Sequence, residues 1–207
     1  MTPLFEDEAL LAFDKPAGLL AVPGRGADKQ DCLAARVQAR WPDALVVHRL
    51  DMATSGLMLF ARGAAVQRRL SIDFAARRID KRYVALVHGR MPAAQGRIEL
   101  PLAADWPRRP LQKVDHAHGK PSITDWQVLD FDAARRLTRL ALQPHTGRTH
   151  QLRVHLAAIG HPILGDALYA PPQVCSRAAR LLLHAQALSL PHPLTGRPLQ
   201  LRCAIPF

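Results

Sequence analysis

The sequence predicts an α+β protein. Apolar or alternating runs of strand length outnumber stretches with helical spacing. The runs lie at 9–13, 44–47, 57–61, 81–88, 126–131, 137–142, 181–190 and 199–204. Helical spacing is confined to about 31–40, 63–78 and 149–159. The runs are short and are punctuated by Gly, Pro and Asp turns, which favours strands. At 207 residues the chain is one domain, or a domain with a small appendage, able to bury roughly 70% of its unfolded surface.

Each element has a local reason. Ala9 to Phe13 is a strand turned by Lys15-Pro16-Ala17-Gly18. Pro23-Gly24-Arg25-Gly26 is a basic loop, either a phosphate cradle or simply a turn. Asp31 can cap a helix to about Arg40, with Leu33 and Val37 on one face, and Trp41-Pro42 stops it. The runs Ala44–Val47 and Leu57–Ala61 enclose His48-Arg49-Leu50-Asp51-Met52-Ala53-Thr54-Ser55-Gly56. That stretch is therefore a loop held by strands, a usual setting for catalytic groups. Gly63 to Arg78 forms a helix with Val66, Leu70 and Phe74 inward and Arg68, Arg69, Arg77 and Arg78 facing solvent or a polyanion.

Lys81 to His88 alternates, with Tyr83, Ala85 and Val87 on one face. Residues 96–125 hold short strands and a basic loop, Asp105 to Lys113, in which Trp106 either offers a stacking surface or anchors the loop. Trp126–Phe131 and Leu137–Leu142 form a hairpin. From Thr149, Leu152, Leu156 and Ile159 repeat at helical spacing, and Gly160 sits at the C-cap with Pro162 beyond. The helix N-terminus beside Arg148 can receive a phosphate. The tail forms a last hairpin around Pro193 to Arg197.

Charge narrows the partners. The net charge is +11, the pI about 10.7, and 23 of the 28 basic residues are Arg. A GC-rich coding bias raises Arg but does not explain scarce acids. Arg is the better residue for forked contacts to phosphate. No long apolar run or basic amphipathic anchor appears, so RNA is favoured over a membrane surface. Cys32, Cys175 and Cys203 are far apart and in no paired spacing, as in reduced, buried cysteines of a cytosolic protein. The N-terminus shows no signal pattern.

Asp51 is the only acid between Asp43 and Asp73, and is flanked by Arg49 and Arg62. Nearby cations keep a carboxylate ionised, which suits a nucleophile or base. An Asp capping its own loop, or one in an ion-pair network, gives the same pattern. His145, His150, His155 and His161 invite a zinc reading, but no Cys or acid stands at matching spacing, so no metal is expected.

The loop His48 to Gly56 resembles the catalytic motif of the RluA-type pseudouridine synthases. Asp14-Lys15-Pro16-Ala17-Gly18-Leu19 is similar to the family's N-terminal segment, and Lys81-Arg82-Tyr83-Val84-Ala85 to its tyrosine strand. Thr146 to His155, continued by Gly160 to Asp166, is similar to its C-terminal signature. The blocks occur in the family's order over most of the chain. A kinase reading of the His-Arg-Leu-Asp run fails for want of its other motifs.

The resemblance implies one catalytic domain over 1–207, with a mixed, largely antiparallel sheet and a central cleft; the N-terminal RNA-binding domain that many relatives carry is not expected, because the first motif starts within fifteen residues. It implies that Asp51 attacks C1′ or removes a ribose proton, that Arg153 holds Asp51 ionised, and that Tyr83 stacks on the base and takes the C5 proton. It places Arg49 in the gap left by the flipped base, and RNA contacts at His48, Thr54, Arg148, Thr149, His150 and Gln151. It implies no cofactor, a cytoplasmic monomer, and substrates in 23S rRNA and the tRNA anticodon stem-loop. Two other classes compete. A non-catalytic RNA-binding factor explains the charge but not Asp51, Tyr83 and Arg153 together. An RNase using His48 or His150 predicts cleavage products.

Overall fold

The computed structural model describes residues 2–207. In chain order the strands are β1 (Phe5–Glu6), β2 (Leu10–Lys15), β3 (Ala44–Val46), β4 (Ser55–Arg62), β5 (Asp80–His88), β6 (Gln95–Glu99), β7 (Leu102–Ala104), β8 (Gln112–Val114), β9 (Ile123–Asp132), β10 (Leu137–Pro144), β11 (Leu183–Pro191) and β12 (Pro198–Arg202). The helices are α1 (Leu33–Gln38), α2 (Ala64–Ala75), α3 (Gln151–Ala158) and α4 (Pro172–Cys175). The chain groups into two compact units, residues 2–81 with His184–Pro206, and Arg82–Leu183 with Phe207. Among the described residues no helix is long and apolar enough to cross a membrane.

The first unit is built on β4. This strand pairs with β2 and β3 antiparallel and with β11 parallel, and β1 and β12 extend the sheet at β2 and β11. Met58 and Phe60 pack with Leu11, Phe13, Leu33, Val37 and Trp41, on the side of α1. Leu57, Leu59 and Ala61 pack with Leu10, Val66, Leu70, Ile79 and Leu188, on the side of α2. A strand covered on both faces needs apolar residues at every position, which is why 57–61 is continuous rather than alternating. Gly56 has φ +114°, and a Cβ there would collide with the backbone of Ala185, so the parallel register of β4 with β11 requires glycine.

One expectation is corrected here. Cys32, not Asp31, caps α1: its extended backbone lets Sγ accept the Ala35 N–H at 3.3 Å. Asp31 instead forks Arg36 at 2.7 and 2.6 Å. The four arginines on and just after α2 are exposed, as expected. Arg69 and Arg78 both bind Asp73, which is fully buried on the helix, so they are partners of that carboxylate as well as surface charges.

The second unit carries an antiparallel sheet in the order β5–β10–β9–β6. The expected hairpin is present with longer arms, β9 and β10, and a register shift at Arg139/Leu140. β7 and β8 make a separate two-stranded ladder. α3 begins at Gln151, two residues later than its spacing suggests, because His150 takes a left-handed conformation (φ +54°) at the N-cap. Gly160, at φ +84°, ends it as expected. Cys32 and Cys203 are buried and Cys175 half-buried, and all three are free thiols.

Candidate active site

In the first unit the loop 48–54 is held at both ends. His48 Nε2 accepts the Leu59 N–H at 2.9 Å, and its ring lies 5.0 Å from that of Phe74. Burial, with the Lys81 charge adding to it, pushes the imidazole down to about 4. It is therefore neutral and occupied at Nε2, and it pins the loop to β4 without acting as an acid. At the far end the Thr54 N–H returns to the Asp51 carbonyl at 3.1 Å, and Thr54 is buried.

One residue that sequence reasoning left without a role in the site is Lys15. Its ammonium, fully buried, donates to the carbonyls of Pro16 and Leu19 at 2.8 Å and of Met52 at 3.0 Å. The Gly18 N–H reaches the same Met52 carbonyl at 2.8 Å. The residue after Asp51 is thus clamped from two directions. Burial pushes Lys15 down to about 8, against the charges of Asp51 and Asp14, which favour its protonated form. Arg62, a sequence neighbour expected to support Asp51, sits at the opposite end of β4 on Asp43, at 2.9 Å. Arg49 is exposed. The signal for Lys15 was present: it shares one face of β2 by alternation with Leu11 and Phe13, and all three are buried.

In the second unit Tyr83 lies half-buried on β5 opposite Leu142. Arg153, on α3, is buried and forks Asp166, Nε to Oδ2 at 2.9 Å and Nη2 to Oδ1 at 2.6 Å. Asp166 Oδ1 also accepts the N–H groups of Leu168 and Tyr169. A buried carboxylate with this many donors fixes the guanidinium plane. The Tyr169 hydroxyl accepts the Gln112 N–H at 2.9 Å and bonds His150 Nδ1 at 2.6 Å. Gln151 is buried. Its oxygen accepts from the Thr146 hydroxyl and the Arg148 N–H, and its nitrogen donates to the Ile123 carbonyl and Thr124 Oγ1. Those bonds commit its amide to shaping the loop before α3. Arg148 and Thr149 are exposed on that loop. Asp166 and Tyr169 went unassigned from sequence, although Asp166 closes the last signature block.

The expected residues thus form two sets, one per unit: His48, Arg49, Asp51 and Thr54, and Tyr83, Arg148, Thr149, His150, Gln151 and Arg153.

The four histidines considered for zinc bond to different partners. His145 is on Asp125, His150 on Tyr169, His155 on Thr124 and Leu100, and His161 on the His88 carbonyl. Among the described residues, Asp14, His184 and Cys203 are the one group whose ligand atoms lie within 4.8 Å of one another. Burial and the Asp14 carboxylate push the Cys203 thiol up to about 12, so an ion would first have to displace its proton. His184 Nδ1 also lies 3.0 Å from Ser55 Oγ, outside that group. Turnover is expected to survive EDTA. Loss of turnover in EDTA that zinc but not magnesium restores would make this cluster a metal centre.

An RNA pseudouridylate synthase family model matches residues 9–158. The dual-specificity RNA pseudouridine synthase RluA of Escherichia coli K12 is 46% identical over 204 residues, 99% of this chain and 93% of that one. The protein of the same name from Yersinia pestis is 46% identical over 207 residues, 100% of both chains. The solved structure of human RNA pseudouridylate synthase domain containing 1 has a TM-score of 0.83 at 28% identity, covering 100% of this chain and 84% of the human one. Its counterpart, domain containing 4, has a TM-score of 0.80 at 26% identity, covering 99% and 88%. With the family model spanning most of the chain and close to half of all residues shared with these relatives, the chain belongs to the RluA family of RNA pseudouridine synthases, which isomerise uridine in RNA.

Proposed function

We propose that this enzyme converts one uridine of 23S rRNA and one of a tRNA anticodon stem-loop to pseudouridine, with Asp51 as the catalytic carboxylate. The observation that carries the catalytic reading is the clamp on Asp51's neighbour by the buried Lys15 ammonium. A preorganised carboxylate beside a buried cation meets the need of a nucleophile or base. The dual-specificity name of the relatives supports two RNA substrates.

The C1′–N1 bond of the uridine breaks, the detached uracil turns, and C5 bonds to C1′. Asp51 either bonds C1′ or removes a ribose proton; both routes need it ionised. Tyr83 stacks on the base and accepts the C5 proton, and N1 regains one. Arg153, oriented by Asp166, supplies the fixed cation of the site. The uridine leaves its stack first, which costs a few kcal/mol and favours loops over duplexes. Arg49 fills the vacated space, and Arg148 and Thr149 meet phosphate. His48, Thr54, His150 and Gln151 act by holding the loops that carry these groups. Both units serve one catalytic function, in a cytoplasmic monomer without cofactor.

Pseudouridine mapping of cellular 23S rRNA and tRNA, with and without the protein, tests the substrates: one position in each RNA is expected to disappear in its absence. With Arg49→Ala, single-turnover isomerisation of a stem-loop at saturation is expected to fall about tenfold or more, a typical loss for a misplaced reactant. An intact rate with weakened affinity would make Arg49 a phosphate contact instead.

A further inference from the structure

Trp106 stands apart from the other two tryptophans. It is 67% exposed, whereas Trp41 and Trp126 are each 7% exposed. The guanidinium of Arg109 lies over its ring, 3.5 Å from the centroid. One face of the indole is therefore backed by a cation, and an exposure this high leaves the other face open.

The loop does not need the indole to hold its shape. Asp105 is buried and takes both Nε and Nη2 of Arg108, at 2.8 and 2.6 Å. The Asp105 N–H donates to the Leu111 carbonyl at 2.9 Å, and the Leu111 N–H to Arg108 at 3.0 Å. β7 and β8 pair on either side, with Ala104 opposite Gln112. An anchoring tryptophan would be buried beneath such a loop; here it projects from one already closed by its polar groups. The loop is also tied to the catalytic helix. The Gln112 N–H binds the Tyr169 hydroxyl, which binds His150 at the N-cap of α3, and the Tyr169 N–H binds Asp166, the partner of Arg153.

We infer that Trp106 is a base-stacking site for an unpaired nucleotide of the RNA substrate other than the target uridine. This rests on the reading given under Proposed function. A flat aromatic ring open on one face and backed by Arg fits a nucleobase of any sequence. Arg109, exposed, supplies the charge that follows the backbone phosphates of that nucleotide. The tie through Tyr169 keeps the stacked base at a fixed distance from α3, so the loop measures RNA shape relative to the residues that orient Arg153.

The test uses the whole protein with a tRNA anticodon stem-loop and with inorganic polyphosphate, an anion without bases. Tryptophan emission is expected to be quenched by the stem-loop and not by polyphosphate. Trp106→Leu should abolish that quenching and weaken stem-loop affinity roughly 5- to 150-fold, the range for loss of one stacked base. The slope of log affinity against log salt should stay the same, because no charge is removed. Trp106→Phe should recover most of the affinity, and single-turnover rate at saturation should be intact in both variants. Affinity within twofold of wild type for Trp106→Leu, or equal quenching by polyphosphate, would overturn the stacking site. Quenching with no isomerisation would overturn the proposed function and leave the stacking site standing. A wild-type protein that isomerises the stem-loop without quenching would do the reverse, and would free the indole for a partner other than RNA.

Discussion

Asp51→Asn is expected to leave the fold and RNA affinity nearly unchanged while lowering isomerisation by roughly 10⁴-fold or more, the scale seen when an essential nucleophile is removed. The two changes separate because the loop is held by atoms other than the carboxylate. The clamp reaches the Met52 carbonyl from Lys15 and Gly18, and the turn closes on the Asp51 main-chain oxygen. Asparagine keeps all of these and the side-chain volume. What it loses is the negative charge and basicity that either route at C1′ needs. Tritium release from C5-labelled RNA reads the chemistry, filter binding reads affinity, and thermal unfolding reads the fold. Turnover within tenfold of wild type would remove Asp51 from its catalytic role.

Sequence patterns located the elements better than they located their partners. The run 57–61 and the spacing of Val66, Leu70 and Phe74 report burial directly, because burial is what selects residue type at each position. The hairpin of β9 and β10 and the Gly160 C-cap carry their own local signals, and both stand where expected. Cys32 displaced Asp31 as the cap of α1 because capping depends on backbone conformation, which composition does not reveal. The return of β11 beside β4 was illegible for a different reason. Ser55 and His184 are 129 residues apart, and a parallel neighbour leaves no turn signature in the sequence.

The candidate site divides in the same way. Asp51 and the signature before α3 were visible as residue types in short blocks. The clamp by Lys15, the fork of Arg153 on Asp166 and the chain from Gln112 through Tyr169 to His150 each join segments that are far apart. A lysine written beside proline and glycine reads as turn chemistry. Only its neighbours' burial shows that it is an interior cation.

Lys15 should give the enzyme an alkaline limit with an apparent pKa near 8, its folded-state value, against an ordinary value of 10.5. Below about 8 the ammonium is charged and serves three carbonyls. Above it, the neutral amine has two N–H donors for those three acceptors, and Asp51 loses the positive charge beside it. Turnover should then fall about tenfold per pH unit as a single titration demands. Stability should move the other way. Lys15's folded pKa is depressed, so between about 8 and 10.5 the unfolded chain binds the proton more tightly than the folded one, and deprotonation favours the fold. The burial penalty of the charged form is in full force below about 8 and is relieved as pH rises through that window. A falling rate beside constant or rising stability therefore marks a local effect on the loop rather than unfolding. Lys15→Arg supplies the comparison, since arginine stays charged throughout. The uracil N3 proton of the substrate also titrates at alkaline pH and affects both proteins equally. The wild-type rate should therefore bend near 8 and the Lys15→Arg rate only where the substrate titrates. Identical pH profiles for the two proteins would show that the charge of Lys15 does not support Asp51.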